Sequence, residues 1–479
     1  MHRLSARIAA VLDLEPATPA IEFEDSWVTW DELGSYARAI GDLLGDGQPQ
    51  VGVLLRNRPQ HIATVLGILM VGATLVVINP ARGDDRIKSD LAELALPVIV
   101  GDADDVATYV AASPGTSVIT IGEVTGSPAC GAATQPGEIE PRPGVAVRML
   151  TSGTTGTPKR IDLTYDMLAH SALGSEPTEA RRGVAIVNAP LVHIGGIYRV
   201  LQNICEARSF VLLPKFDLQR WAAAVRTHRP KAVSLVPAAL RTVLHSELTA
   251  ADLDGVKVVT SGTAPLSAED AEAFTEKFGI PVLTSYAATE FGGGVAGWSY
   301  ADHQEYWGAK RGSVGRASLG AQLRVVSEDG AVLAADQPGL LEVKPGQLGP
   351  DTEWLRTTDL ARIDADGFLW ILGRADQAII RGGFKVMPDD VRTALESHPA
   401  VLGAVVVGRP DERLGETPVA LVELRTGTRA DSDELTDHLR TRLARYEIPT
   451  QIAVVDAIPR TPSGKADLTA VRQLLDCAR

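Results

Sequence analysis

The sequence predicts an α/β protein. A large N-terminal domain of layered, mostly parallel sheets with helices and a small β unit comes first, and a small α+β C-terminal domain follows. Three observations carry this. Up to about residue 145, helical and strand patterns alternate, the rhythm of βαβ units whose parallel sheet is covered on both faces. Between 312 and 343, short alternating runs and Asp329-Gly330 point to antiparallel strands. Past Asp376 the patterns shorten into a compact strand-and-helix unit.

The chain has 479 residues, enough for two or three domains and a large core. Hydrophobic residues make up 45% and charged residues 22%, as in an ordinary globular protein. The net charge of −14 argues against nucleic-acid and anionic-membrane partners. An anionic ligand therefore needs a local basic site. Cys130, Cys205 and Cys477 lie far apart and form no metal spacing, which points to a reducing cytoplasm. The N-terminus lacks the apolar core of a signal peptide. No Asp, Glu, Lys or Arg occurs between Arg58 and Arg82, long enough for a bilayer. Gly72 and Asn79-Pro80 instead divide it into a buried helix, 60–70, and a strand, 74–78, and no integral membrane segment is expected.

In chain order, Thr29 caps a helix over 30–44 with Asp31 and Glu32 in its first turn. Strands are expected at 51–55 and 98–100, with a helix over 84–94 between them. Residues 111–144, rich in Gly, Pro, Ser and Thr, read as surface loop. The apolar run 145–150 is a buried strand. Further strands are expected at 184–188, 232–236, 256–260, 281–285 and 368–372. In the C-terminal part they fall at 377–381, 384–387, 401–407 and 419–424, with helices from Pro388 and over 433–443.

After 145–150 comes Thr151-Ser152-Gly153-Thr154-Thr155-Gly156-Thr157-Pro158-Lys159. Glycines let backbone N–H groups close on an anion, the hydroxyls are short donors, and Lys159 adds a point charge. It is a phosphate-site composition without the Walker spacing. The run from Gly292 to Gly297 matches Gly-x-Gly-x-x-Gly, but 298–302 reads as loop, so it is not a dinucleotide fingerprint.

The threonine-rich stretch resembles the phosphate loop of the adenylate-forming superfamily, in its acyl- and aryl-CoA synthetase branch. Further motifs follow in that family's order. Pro190-Leu191-Val192-His193 resembles the segment whose histidine lines the acyl pocket. Gly262, Thr263, Ala264 and Pro265 resemble the adenine-site turn, with Ser261 replacing one glycine. Ser285-Tyr286-Ala287-Ala288-Thr289-Glu290 is similar to Tyr-Gly-x-Thr-Glu: Tyr286 for adenine stacking, Thr289 for the α-phosphate and Glu290 for Mg²⁺. Asp359 and Arg374 fill the ribose-binding positions, Asp376 the hinge and Lys465 that of the adenylation lysine. Gly382, Gly383 and Phe384 would shape the pantetheine tunnel, with Arg381 and Lys385 as candidates for the CoA phosphates. His193, Gly196, Tyr198, Val236, Gly262, Phe291 and Gly292 are the pocket candidates.

The resemblance implies a core over 1–374, a mobile domain over 375–479, and ATP, Mg²⁺ and CoA with a small carboxylic acid. The nature of the acid, aryl or aliphatic, stays open. So do a homodimer and the alternative acceptors: a carrier protein, an amine or another nucleophile. A non-catalytic nucleotide sensor is disfavoured by Glu290, Asp359, Arg374 and Lys465 standing together.

Overall fold

The computed structural model describes residues 1–111, 115–131, 141–151, 159–318, 320–381, 384–461 and 464–478. Its largest sheet has seven strands, in the order Ala129–Gly131, Ser117–Ile121, Val98–Asp102, Gln50–Leu54, Thr74–Ile78, Val145–Thr151 and Lys159–Thr164. The inner five are parallel and both edges antiparallel. Every residue of Gln50–Leu54 and Thr74–Ile78 is buried, as strands covered on both faces require.

Local chemistry sets the flanking helices. Thr29 and Glu32 form a reciprocal capping box at the start of Trp30–Leu44. Pro59 opens Pro59–Met70, which is buried along nearly its whole length and explains the uncharged stretch. Among the described residues, no helix is long and apolar enough to cross a membrane.

A second sheet runs Ala232–Ser234, Val258–Ser261, Val282–Ala288 in parallel, then Gly293–Gly297 and Arg316–Ala317 antiparallel. A four-stranded antiparallel sheet spans Gln322–Val326 to Leu369–Arg374. The last sheet draws all its strands from Ile379–Arg381 onward, and among the described residues no strand is shared across Arg374. Buried charges join this last unit to the rest. Arg241, on Pro237–Leu244, donates to Asp270 at 2.6 Å and to Glu396 at 3.2 Å, and Arg392 donates to Glu396 at 2.6 Å. The Arg425 guanidinium meets His245 Nδ1 at 3.0 Å.

Three expectations are corrected. The 111–144 loop contains Ser117–Ile121 and Ala129–Gly131, because parallel pairing with Val98–Asp102 recruits a β-branched run hidden in loop-like composition. Strand Val282–Ala288 carries Tyr286 and Ala287 within it, where the strand was expected to stop at 285. The 298–302 segment is not all loop, since Ser299 caps a helix over Tyr300–Tyr306. The preceding glycines still make no nucleotide turn, because Gly293–Gly297 is itself a strand. Helices Arg3–Leu12, Leu218–His228 and Leu468–Cys477 had no counterpart in the sequence reading.

A Cβ on Gly67 would lie 2.3 Å from the Ala37 carbonyl oxygen, where the two helices touch. Gly67→Ala gains about 1 kcal/mol of helix propensity but costs about 1–3 kcal/mol by overpacking. A lower melting temperature by circular dichroism is expected, and an unchanged one would mean the helices separate freely.

Candidate active site

The last parallel strand of the second sheet meets the four-stranded antiparallel sheet through Tyr286 and Asp359, and the carboxyl ends of parallel strands are the usual location of a ligand crevice in such folds. Tyr286, near the end of Val282–Ala288, donates its hydroxyl to Asp359 Oδ2. Asp359 pairs across the sheet with Arg374. Burial holds the Asp359 carboxyl above the usual carboxylate range, against the opposing pull of Tyr286 and Arg374. Burial also raises the Tyr286 phenol, with the Asp359 charge adding to it. Arg374 is itself fixed: Nε and Nη2 grip the two oxygens of Asp376 at 2.9 Å each, and Nη2 also reaches Thr358 Oγ1. The result is a carboxylate placed to accept from a diol, backed by an anchored cation.

The turn after Val258–Ser261 is strained. Thr263 has φ +72°, a left-handed conformation that disfavours a β-branched residue. A Cβ on Gly262 would lie 2.9 Å from Ser285 Oγ, so only glycine lets the two strand ends approach this closely. Ala264 and Pro265 continue this turn, and Ser285 and Ala287 are exposed.

Lys465 reaches the same cleft from the C-terminal unit. Its loop closes on itself: Thr461 N–H donates to the Lys465 carbonyl at 2.7 Å, and Gly464 N–H to the Thr461 carbonyl at 2.8 Å. Gly464 packs on Val236, where an added Cβ would come within 3.3 Å. Lys465 is water-accessible, yet surrounding protein pulls its ammonium below the usual lysine range. The two facts agree if the side chain lines a wet cleft rather than the outer surface. Glu290 and Asp359 oppose the shift, whereas Arg374 adds to it. These are the charges that Lys465 faces.

His193 stands at the N-cap of Ile194–Cys205, with its buried Nε2 lacking a hydrogen-bond partner among the described residues. Burial, then the nearby Lys465 charge, push its imidazole down to about 4, so it is neutral at pH 7. Thr289 and the exposed Glu290 lie on the short turn Thr289–Phe291 that follows Tyr286. Among the described residues, no three His, Cys, Asp or Glu side chains are grouped to hold a metal. Glu290 presents an exposed carboxylate, a hard oxygen donor.

Ser152, Gly153, Thr154, Thr155 and Gly156 lie outside the described residues, as do Gly382, Gly383 and the Lys385 side chain. Thr151 and Lys159 flank the phosphate-loop stretch as a cross-strand pair. Phe384 is 57% exposed and stacks on Tyr446, both within the C-terminal unit. Arg381 Nη1 donates to the Tyr446 and Ile448 carbonyls at 2.7 and 3.0 Å.

The pocket glycines also need correction. Gly196 and Gly292 do not open space for a substrate. A Cβ would strike the Pro190 carbonyl at 2.1 Å in one case and Met167 Cε at 2.5 Å in the other. Gly195 and Gly294 are the open positions, with nothing within 4 Å. Phe291 is buried in the core, and Tyr198 is buried with its hydroxyl on the Gly292 carbonyl at 2.6 Å. One polar residue of this region was missed altogether: Arg199, on the helix that His193 caps. A charged residue inside an apolar helical run was the available signal.

The AMP-binding enzyme family matches residues 9–349 and the AMP-binding enzyme C-terminal domain matches 390–465, so the chain belongs to the AMP-binding enzyme family, the adenylate-forming superfamily. It is 30% identical to 4-coumarate–CoA ligase-like 8 of Arabidopsis thaliana, over 93% of this chain and 86% of that one. It is 29% identical to a 2-succinylbenzoate–CoA ligase of Bacillus cereus, over 97% of each. Among solved structures, ATP-bound MatB from Rhodopseudomonas palustris superposes with a TM-score of 0.81 at 25% identity, covering 98% of each chain.

In a histidine titration by NMR, His193 should respond near pH 4 rather than near its ordinary 6.5. Its folded value lies below its unfolded one. Its contribution to stability is therefore fully present above about pH 6.5 and is lost as pH falls toward 4. Lys465→Ala should raise the His193 value part of the way, because burial is the larger cause. No change would mean that the two groups are not neighbours in solution.

Proposed function

We propose that the protein is an AMP-forming acyl- or aryl-CoA ligase, which joins a carboxylic acid to CoA through an acyl-adenylate made from ATP. What supports this is the electrostatic neighbourhood of Lys465, whose charge acts on His193 and is acted on by those of Glu290, Asp359 and Arg374, residues far apart in the chain. The family and the CoA-ligase relatives support the same reaction.

In the first half-reaction a carboxylate oxygen attacks the α-phosphorus of ATP and pyrophosphate leaves. Both partners are anions, so catalysis lies in positioning and charge neutralisation. Asp359 accepts the ribose hydroxyls, backed by Arg374. Tyr286 presents its ring toward adenine and Thr289 donates to the α-phosphate. The stretch 151–159 takes the outer phosphates. Glu290 would hold Mg²⁺, which supplies further neutralisation of phosphate charge when bound. Lys465 spans the carboxylate and the α-phosphate, where charge builds. Neutral His193 packs beside the acid without adding a charge of its own.

In the second half-reaction the CoA thiol attacks the acyl carbonyl and AMP leaves. For this the unit 375–479 turns about Asp376, withdraws Lys465 and brings 382–384 to the cleft. The absence of shared strands across Arg374 among the described residues supports such a pivot. The Arg374–Asp376 grip and the Arg241–Glu396 contact are what the turn must release or rearrange. The free thiols of Cys130, Cys205 and Cys477 suit a reducing cytoplasm.

A screen of carboxylic acids for pyrophosphate release, with and without CoA, tests the activity. Acid-dependent release followed by CoA-dependent thioester is the expected result, and release that continues on to an amine or carrier instead would favour the other acceptors. Lys465→Ala should lower adenylation by about 10²-fold or more, the scale of losing one charge-stabilising donor. It should spare thioester formation from supplied acyl-adenylate, and equal loss in both halves would contradict the role. Asp376→Pro should do the reverse, slowing thioester formation while pyrophosphate exchange persists.

A further inference from the structure

Helix Pro237–Leu244 meets the C-terminal unit at three successive points. At its N-cap, Val236 packs on Gly464, the residue before Lys465. Arg460 Nη1 donates to the Gly464 carbonyl at 3.3 Å and so braces that loop from within the unit. Further along, buried Arg241 donates through Nη2 to Glu396, on Pro388–Glu396, at 3.2 Å. At the C-cap, His245 Nδ1 meets the Arg425 guanidinium at 3.0 Å. From Val236 to His245 the axis rises about 14 Å. One rigid element therefore sets the register of the whole unit, and with it the place of Lys465.

Each charge at these contacts also holds a partner on its own side. Arg241 Nε donates to Asp270 Oδ2 at 2.6 Å, within the core. Glu396 Oε2 accepts from Arg392 at 2.6 Å and its Oε1 from the Ala404 N–H at 3.3 Å, both within the C-terminal unit. Arg425 Nε donates to the Val401 carbonyl at 3.1 Å. The guanidinium fork lets Arg241 serve two acids at once. Parting a buried ion pair is ordinarily costly, because an uncompensated charge stays behind. Here parting loses one shared hydrogen bond and leaves both charges paired. We propose that Arg241 and Glu396 are positioning residues for adenylation: their shared bond holds the unit where Lys465 serves that step, and it opens without stranding a charge when the unit turns. This rests on the ligase reading and adds the contact that sets the balance between its two half-reactions.

The two half-reactions are measured separately for wild type, R241K and E396Q. Hexanoate, adipate, benzoate and cinnamate serve as acids, and their acyl-adenylates are supplied for the second step. Lysine offers one ammonium in place of the fork, so R241K keeps the Asp270 pair and gives up Glu396. Each variant should slow acid-dependent pyrophosphate release by about fivefold, the low end of ordinary coupling between sites. Thioester formation from supplied acyl-adenylate should hold or rise. R241K/E396Q should fall no further than the stronger single change, because the same bond is lost once. In a K465A background, E396Q should add no loss, because its effect runs through Lys465. Unchanged adenylation in both variants, equal loss in both half-reactions, or multiplying losses in the double variant would overturn the proposal and leave the ligase reading standing. So would a full further loss beside K465A. Should E396Q fail to fold, R241K decides, alone and beside K465A. Absence of pyrophosphate release with every acid would sink the ligase reading, and this inference with it.

Discussion

The ammonium group of Lys465, with no carboxylate in ion-pair contact among the described residues, sets the terms for everything around it. Lys465 faces Glu290 and Asp359 on one side and Arg374 on another, and surrounding protein weakens its hold on the proton. Such a charge is favourable only when an anion arrives. A reaction that brings a carboxylate against a phosphate supplies two. The neutral state of His193 belongs to the same constraint: a second cation beside Lys465 would repel it, and burial together with that repulsion keeps the imidazole uncharged.

The position of Lys465 depends on surfaces far from it. Its loop rests on Val236 through Gly464, and the unit that carries the loop is pinned by Arg241, Glu396 and Arg392. These are buried, hydrogen-bonded charges. They give the contact direction, but each carries a desolvation penalty that limits its net strength. An interface of this kind specifies one docked arrangement without holding it irreversibly, which is what alternating half-reactions need.

The site was legible where its chemistry sits in short contiguous motifs. Tyr286 to Glu290, Asp359 with Arg374, and Lys465 in its Pro/Gly frame could be picked out because each combines an unusual residue type with a turn or strand end. It was illegible where a role depends on what lies opposite. Gly196 and Gly195 look alike in sequence, yet one packs on Pro190 and the other faces open space. Nothing in the sequence marks the two carbonyl partners of Arg381.

The sequence by itself determined the fold class, most central strands and the capped helices, because burial periodicity, capping residues and proline act over a few neighbours. It also determined the types of group the reaction needs. The tertiary structure alone decided that Ser117–Ile121 joins the main sheet and that Asp359 faces both Tyr286 and Arg374. It alone decided that the Lys465 charge comes near His193. Those outcomes depend on contacts between residues far apart in the chain, and local sequence carries no record of which surfaces will meet.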